Sequence, residues 1–86
     1  MTLKKAAKCG TLESNDIFLM LTPSEDGIEI ELESTVENNL ENISKKFIKA
    51  KLLELGIDSV LVQAQDKGAL DYTIRARIEA AVARGL

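Results

Sequence analysis

The sequence predicts an α+β domain, a two-layer sandwich in which two helices pack on one face of a small, mostly antiparallel sheet. Strand-like and helix-like hydrophobic patterns follow one another in the order β-β-α-β-α, separated by turns of polar residues and glycine. A chain of 86 residues suits one domain, here residues 1–86. Packing each apolar face against another element favours one sheet layer and one helix layer.

The chain opens with a predicted flexible arm, followed by the most apolar strand. Residues 1–10 have few apolar anchors and specify no element, so they are predicted to form the arm. Residues 16–22, DIFLMLT, place apolar side chains on both faces of an extended backbone. This pattern predicts a strand that is central in the sheet or covered on both sides.

A second strand is predicted to pair with the first in an antiparallel hairpin. Residues 23–27, PSEDG, have the composition of a turn, since proline fixes φ and glycine allows positive φ. Residues 27–34, GIEIELES, then alternate between aliphatic residues and glutamate. The aliphatic side chains are expected to face the core, which leaves an outer face of three glutamates: Glu29, Glu31 and Glu33.

A helix is predicted to follow the second strand. Residues 34–37, STVE, form a capping box, in which the serine and the glutamate each accept a hydrogen bond from a free backbone N–H at the helix start. The helix is expected to run to about Leu55 and to stop at Gly56. Helical spacing defines its apolar stripe: Leu40, Ile43, Phe47, Ala50 and either Leu52 or Leu53.

A third strand and a second helix complete the prediction. Residues 59–65, SVLVQAQ, alternate as a strand, and its apolar face consists of Val60, Val62 and Ala64. Residues 66–68, DKG, are typical of a turn. The last helix is predicted over residues 69–84, with the following side chains on its buried face: Leu70, Ile74, Ile78, Ala81 and Val82.

Composition argues against several classes of partner. The net charge is −3, and lysine and arginine are not clustered as phosphate binding requires, so no nucleic acid is expected. No apolar run approaches the ~20 residues of a membrane helix, and the first ten residues lack the sustained apolar core of a signal peptide. Cys9 is the single cysteine, which excludes an internal disulfide and fits a reducing compartment. We therefore expect a cytoplasmic protein.

The absence of histidine limits the chemistry that the chain can perform alone. Without histidine it cannot assemble a Ser–His–Asp or Cys–His catalytic group. One cysteine and no histidine also leave no ligand set for a structural zinc ion. The sequence therefore predicts no catalytic residues, no metal site and no enzyme activity of the chain by itself.

Ser14, within residues 10–16, GTLESND, is the first candidate site residue. It lies in a polar, turn-prone segment directly before the apolar strand, where functional residues are often presented. The alternative is a turn serine whose hydroxyl bonds nearby backbone, because the chain has five serines and five threonines. Since the chain lacks a base to activate it, a reacting Ser14 would be an acceptor modified by another enzyme.

Four charged side chains are candidate contacts for a partner protein. The glutamate face of the second strand can be a solvated face or can meet a basic partner. In the last helix, Arg75 is flanked by Asp71 and Glu79 in a charge ladder at i,i+4 spacing. Arg77 lacks such neighbours and is the better candidate for an external contact. The candidates are therefore Glu29, Glu31, Glu33 and Arg77.

Two motifs resemble one known family. GTLESND at residues 10–16 and DKGALDYTIRARIEAAV at residues 66–82 are similar to the acyl carrier protein, or gamma subunit, of citrate lyase. The resemblance spans nearly the whole chain, including the IEIELES strand. The fatty-acid acyl carrier proteins differ, because they are helical bundles with an Asp-Ser-Leu attachment site.

The resemblance implies a carrier function for the chain. Ser14 occupies the attachment position of the family's motif, and the other matching positions are Gly10, Thr11, Glu13 and Asp16. Ser14 would carry 2'-(5''-phosphoribosyl)-3'-dephospho-CoA through a phosphodiester, with the acyl group as a thioester on its thiol. The implied partners are the alpha subunit, which exchanges acetyl for citryl, and the beta subunit, which cleaves citryl to oxaloacetate and acetyl-carrier. A transferase would install the group and an acetylating ligase would prime it.

Two alternatives remain open from the sequence. The acyl carrier subunit of malonate decarboxylase carries the same kind of group on a serine, and the segments DKGALD and RAR favour citrate lyase over it. The other alternative is an interaction module that holds no cofactor.

Overall fold

Two helices cover one face of a four-stranded sheet in the computed structural model, which describes residues 3–34 and 38–86. The elements in chain order are β1 (Ala7–Cys9), β2 (Ile17–Pro23), β3 (Ile28–Ser34), α1 (Asn38–Glu54), β4 (Val60–Asp66) and α2 (Asp71–Gly85). The predicted α+β class and the order of its five elements are confirmed, and β1 is a further strand that precedes them. Among the described residues, no helix is long and apolar enough to cross a membrane.

The sheet order is β1-β2-β4-β3, so the predicted hairpin between β2 and β3 is wrong. β4 lies between these strands, antiparallel to β2 and parallel to β3, while β1 and β2 are antiparallel. The inner face of β4 is apolar, so a central position buries it between two neighbours. β3, with its alternating glutamates, suits the edge, where charged side chains discourage further strand pairing. The chain returns from β3 through α1, as a parallel connection requires.

Residues 3–9 pack onto the domain, so the predicted arm is wrong for this segment. Ala7 and Cys9 pair with β2 in the β1 ladder, and both are buried together with Leu3. The backbone N–H groups of Lys4 and Lys5 both donate to the carbonyl oxygen of one α2 residue, at 2.8 and 3.2 Å. The signal for β1 is a short alternation of small apolar residues with lysine, which is too brief to specify a strand without its partner.

The core lies between the sheet and the helices and is mostly aliphatic, as composition predicts. Its sheet side consists of Ile17, Leu19, Leu21, Val60, Val62 and Ala64, and its helix side includes Ile48, Leu52, Ile74, Ile78, Ala81 and Val82. The apolar face predicted for β4 is therefore confirmed. Leu70, predicted as part of the buried face of α2, is 56% exposed and precedes the helix as its N-cap residue.

The buried stripe of α1 agrees with the predicted stripe at Leu52, one of its two alternatives, and differs from it at Ala50. Ile48 and Leu52 are fully buried, whereas Leu53 is 54% exposed and Ala50 is also exposed. Apolar residues occur in adjacent pairs here, Phe47 with Ile48 among them, so spacing alone leaves two possible faces. Of the predicted capping box, residues 35–37 and the side chain of Ser34 lie outside the described part of the chain, as do two further predicted stripe side chains: Leu40 and Ile43.

The end of α1 is the Schellman motif that the glycine predicts. Gly56 has φ of 82°, and its N–H donates to the Leu53 carbonyl at 3.0 Å. The Ile57 N–H donates to the Leu52 carbonyl at 2.9 Å, which completes the pair of bonds. Ile57 and Leu52 are both fully buried, so the motif also directs the chain back into the core.

Candidate functional site

Residues 10–16 join β1 to β2 and place Ser14 at the corner of a tight turn. The Asp16 N–H donates to the Glu13 carbonyl at 3.2 Å, which closes the four-residue turn 13–16. Asn15, the third residue of that turn, has φ of 65°, a region that asparagine tolerates better than most side chains. Ser14 is exposed, and its hydroxyl makes no hydrogen bond with any residue that the structure describes.

Gly10 fixes where the loop begins. Its φ is 94°, and a Cβ at this position would lie 1.8 Å from the carbonyl oxygen of Ile17. That oxygen belongs to the backbone of β2 and cannot move without disturbing the sheet. The glycine of the motif is therefore required by a close backbone approach as well as by its conformation.

Asp16 fixes where the loop ends, through four donors. Arg77 donates from Nε to Oδ1 at 3.0 Å and from Nη2 to Oδ2 at 2.7 Å, a bidentate ion pair between the loop and α2. The Thr11 hydroxyl donates to Oδ2 at 2.6 Å, and the Ile17 N–H donates to Oδ1 at 2.7 Å. Asp16 is 8% exposed, so the carboxylate exchanges water for these partners.

The ion pair sets the charge state of the loop. The hydrogen bond from Arg77 is the largest cause that lowers the pKa of Asp16 to about 2, and Thr11 and the Ile17 N–H act in the same direction against burial. The same contact raises the pKa of Arg77. Asp16 is therefore ionised at neutral pH, with both of its oxygens engaged as acceptors.

The loop that follows β4 packs directly against the Ser14 loop. The Asn15 N–H donates to the Lys67 carbonyl at 2.8 Å, and the Lys67 N–H donates to the Asp16 carbonyl at 2.9 Å. The buried carboxylate of Asp66 accepts from the N–H groups of the two residues after Lys67, at 3.0 and 2.9 Å. The two sequence motifs that carry the family resemblance therefore meet in space, and together they hold the turn.

The predicted docking residues lie apart from one another. Glu29, Glu31 and Glu33 are exposed on the outer face of β3, at the edge of the sheet. Arg77 is on α2, which packs against the opposite face, and its guanidinium is engaged by Asp16. Sequence reasoning missed this partner because the two residues are 61 positions apart, and only the motif match marked Asp16 at all. The docking role of the four residues stays a prediction.

Acidic side chains and one cysteine are the candidate metal ligands among the described residues. No group of three or more His, Cys, Asp or Glu side chains in that part of the chain could hold a metal ion. Cys9 is buried in the core cluster and lies beside Arg77, so its thiol is not presented at the surface.

Comparison with known proteins identifies the family. Residues 4–85 match the family model described as malonate decarboxylase delta subunit (MdcD). The citrate lyase acyl carrier protein of Halothermothrix orenii is 46% identical over 84 residues, which cover 98% of this chain and 89% of that protein. The protein of the same name from Lacticaseibacillus casei is 49% identical over 84 residues, covering 98% and 83%. The chain belongs to the citrate lyase acyl carrier protein family.

A solved structure shares the fold of this citrate lyase acyl carrier family member. One chain of a Pseudomonas malonate decarboxylase hetero-tetramer, crystallised with malonate, superposes with a TM-score of 0.79. The match covers 98% of this chain and 87% of that chain at 20% sequence identity. The two proteins therefore have the same fold. In sequence, this chain is more similar to the citrate lyase carriers than to the malonate decarboxylase chain.

Proposed function

We propose that the protein is the acyl carrier subunit of a citrate lyase complex and that Ser14 carries the prosthetic group. The observation that supports this most directly is the exposed Ser14 hydroxyl, which has no hydrogen-bond partner among the described residues, on a loop held from both ends. The relatives named citrate lyase acyl carrier protein favour citrate over malonate, because they are 45–49% identical and the malonate decarboxylase chain is 20% identical.

The residues present fit the proposed group, 2'-(5''-phosphoribosyl)-3'-dephospho-CoA. A phosphodiester on serine needs a hydroxyl that is not used inside the protein and that has space around it. Ser14 meets both conditions, because it is exposed at the corner of the turn and forms no hydrogen bond with the described residues. When bound, the group supplies a thiol on which the acyl group is carried as a thioester.

The chain does not activate Ser14 by itself. Asp16 is a carboxylate of the same loop and is held in place, but its pKa of about 2 makes it a poor proton acceptor. Its oxygens already accept hydrogen bonds from Arg77, Thr11 and a backbone N–H. The proton of the Ser14 hydroxyl must therefore pass to a base of the transferase that forms the bond to phosphorus.

The role of the folded chain is to present and deliver the tether. Ser14 provides the attachment atom, and Asp16 with Arg77 fixes the loop relative to the helix layer. Tethering keeps the acyl group at a high local concentration for the alpha and beta subunits, which act on it in turn. We place these partners, the transferase and the acetylating ligase in the cytoplasm with the carrier.

Intact-mass measurement on protein from its native host tests the proposal. We expect an addition of the mass of the phosphoribosyl-dephospho-CoA group on the wild-type chain and its complete loss in Ser14→Ala. Ser24→Ala is the matched control, since Ser24 lies in the turn at the opposite end of β2 and should not affect the addition. An unmodified chain in an active complex would contradict the proposal and would favour an interaction module.

A further inference from the structure

The outer face of the sheet is apolar along β2, and the described residues leave it uncovered there. β2 has apolar side chains on both faces, yet both helices pack on the inner face. Phe18 and Met20 therefore remain partly exposed on the outer face. The sequence pattern of β2 is typical of a strand that is central in the sheet, as β2 is, or covered on both sides. The apolar side chains left on its outer face favour a cover from another molecule.

These side chains form the floor of a groove of about 680 Å³, which we call the open-face groove. In the sheet register, Met20 lies beside Gln63 and then Glu31, and Phe18 lies beside Gln65 and then Glu33. The groove therefore has an apolar side at β2, and a side at the β3 edge that carries two glutamates and one lysine, Lys45 of α1. Its lining comprises Leu12, Phe18, Met20, Glu31, Glu33 and neighbouring residues.

The open-face groove begins next to the proposed tether. Leu12 lines the groove, is 56% exposed and precedes Ser14 by two residues on the same loop. A large aliphatic side chain this exposed contributes little to the core of the isolated chain. A molecule seated in the groove would thus lie against the loop from which Ser14 projects.

We propose that the open-face groove is the docking surface for the subunits that act on the group carried by Ser14. The partner surface has an apolar side chain for the β2 side and lysine or arginine for the β3 side. This inference rests on the proposed function, because it takes Ser14 as the tether. It adds the apolar half of the surface, which charge patterning of the sequence does not show.

Charge complementarity selects this occupant over two others. Glutamates along the β3 side outnumber the one lysine of the lining, Lys45, so this side attracts a basic protein surface and repels the phosphate-bearing group on Ser14, which is disfavoured as the occupant. A second copy of this chain in a two-fold contact would bring the same acidic edge against itself. The chain's net charge of −3 acts in the same direction against self-association.

Binding of the unmodified carrier to the purified assembly of alpha and beta subunits tests the inference. Leu12→Gln is matched by Leu53→Gln, because Leu53 is 54% exposed and lies on α1. Glu31→Lys is matched by Glu25→Lys in the turn between β2 and β3. We expect each groove variant to raise the dissociation constant about tenfold, the change typical of a central interface residue, and each control to leave it within about twofold.

Each other outcome contradicts the inference in a distinct way. Groove variants that bind like wild type, or a wild type that does not bind, would overturn it. The inference would also be overturned if sedimentation showed that the wild-type chain forms a dimer and that the groove variants do not, since the groove would then bind a second copy of this chain. Methyl chemical shifts of Met20 that move when the isolated carrier gains its group would assign the groove to that group. The mass of wild-type carrier from the native host separates the two proposals. If that carrier has the added group but the groove variants bind the subunits as tightly as wild type, the docking surface is refuted and the carrier function is not.

Discussion

The loops at the two ends of β2 contain similar residues and use their serines differently. The loop before β2 contains Ser14, and the turn after it contains Ser24; each also has a glycine with positive φ. The Ser24 hydroxyl accepts from the Asp26 N–H at 3.2 Å, and its carbonyl accepts from the Ser59 hydroxyl. Ser24 is therefore part of the structure that holds its own turn, while the Ser14 hydroxyl bonds to no residue in the described ranges 3–34 and 38–86.

The difference shows how a serine can be exposed on a fixed loop. Serine hydroxyls make the side-chain hydrogen bonds that hold the second turn. In the first loop, the corresponding hydrogen bonds are made by Thr11, Asp16 and Arg77. Because these groups belong to the loop's ends and to a helix, we expect that the side chain at the corner is not needed for the fold. A serine used to hold its turn would have to break a hydrogen bond before it could be modified.

The largest expected effect comes from a methyl group at the start of the first loop. Gly10→Ala should lower the free energy of unfolding by about 2–5 kcal/mol, because the left-handed backbone and the clash with the Ile17 carbonyl both act. Gly27→Ala, in the second turn, should cost about 1–2 kcal/mol, since its φ is 83° and nothing lies within 4 Å of the added Cβ. Urea unfolding measures both, and equal losses would mean that the loop moves to accept the methyl group.

The next effect comes from the carboxylate that ends the first loop. Asp16→Asn should lower the free energy of unfolding by about 1–3 kcal/mol, because the amide cannot accept from Arg77 with both atoms. Asp26→Asn in the second turn should change it by less than about 0.5 kcal/mol, since Asp26 is exposed and forms no ion pair with a described residue. Faster amide exchange at Asn15 and Lys67 should accompany the first substitution alone. An Asp16→Asn protein as stable as wild type would show that the ion pair does not hold the loop.

The same carboxylate should give the first loop a dependence on acid that the second lacks. The pKa of Asp16 is about 2 in the folded chain and about 3.9 when unfolded, so the unfolded state binds the proton more tightly. The stability from the ion pair is then fully present above pH ~5 and lost as the pH falls toward 2. The gap in unfolding free energy between wild type and Asp16→Asn should shrink over that window. Ser24→Ala removes no titratable group, so the difference in unfolding free energy between wild type and Ser24→Ala should not change with pH. If both differences changed in parallel with pH, the acid dependence could not be assigned to Asp16.

Local patterns predict most of the elements, and pairing at long range accounts for what they miss. The alternation of β4 and the glycine at the end of α1 are local signals, and both predictions are confirmed. The partner of β2 is not local, since β2 and β3 have compatible patterns and only the complete sheet shows β4 between them. The site divides in the same way: Ser14 can be proposed from its motif, but the pairing of Asp16 with Arg77 needs the fold.

The smallest effect on stability, and the sharpest on modification, should come from the serines themselves. Ser14→Ala should change the free energy of unfolding by less than about 0.5 kcal/mol, because its hydroxyl has no partner among the described residues. Ser24→Ala should cost about 0.5–1.5 kcal/mol, through the lost bond from the Asp26 N–H. Thermal or urea unfolding should show the larger loss of stability in Ser24→Ala. Intact masses from the native host should show the loss of the added group in Ser14→Ala alone. A Ser14→Ala chain that is less stable than Ser24→Ala would mean that the Ser14 hydroxyl supports its own turn, and the comparison between the two loops would then fail.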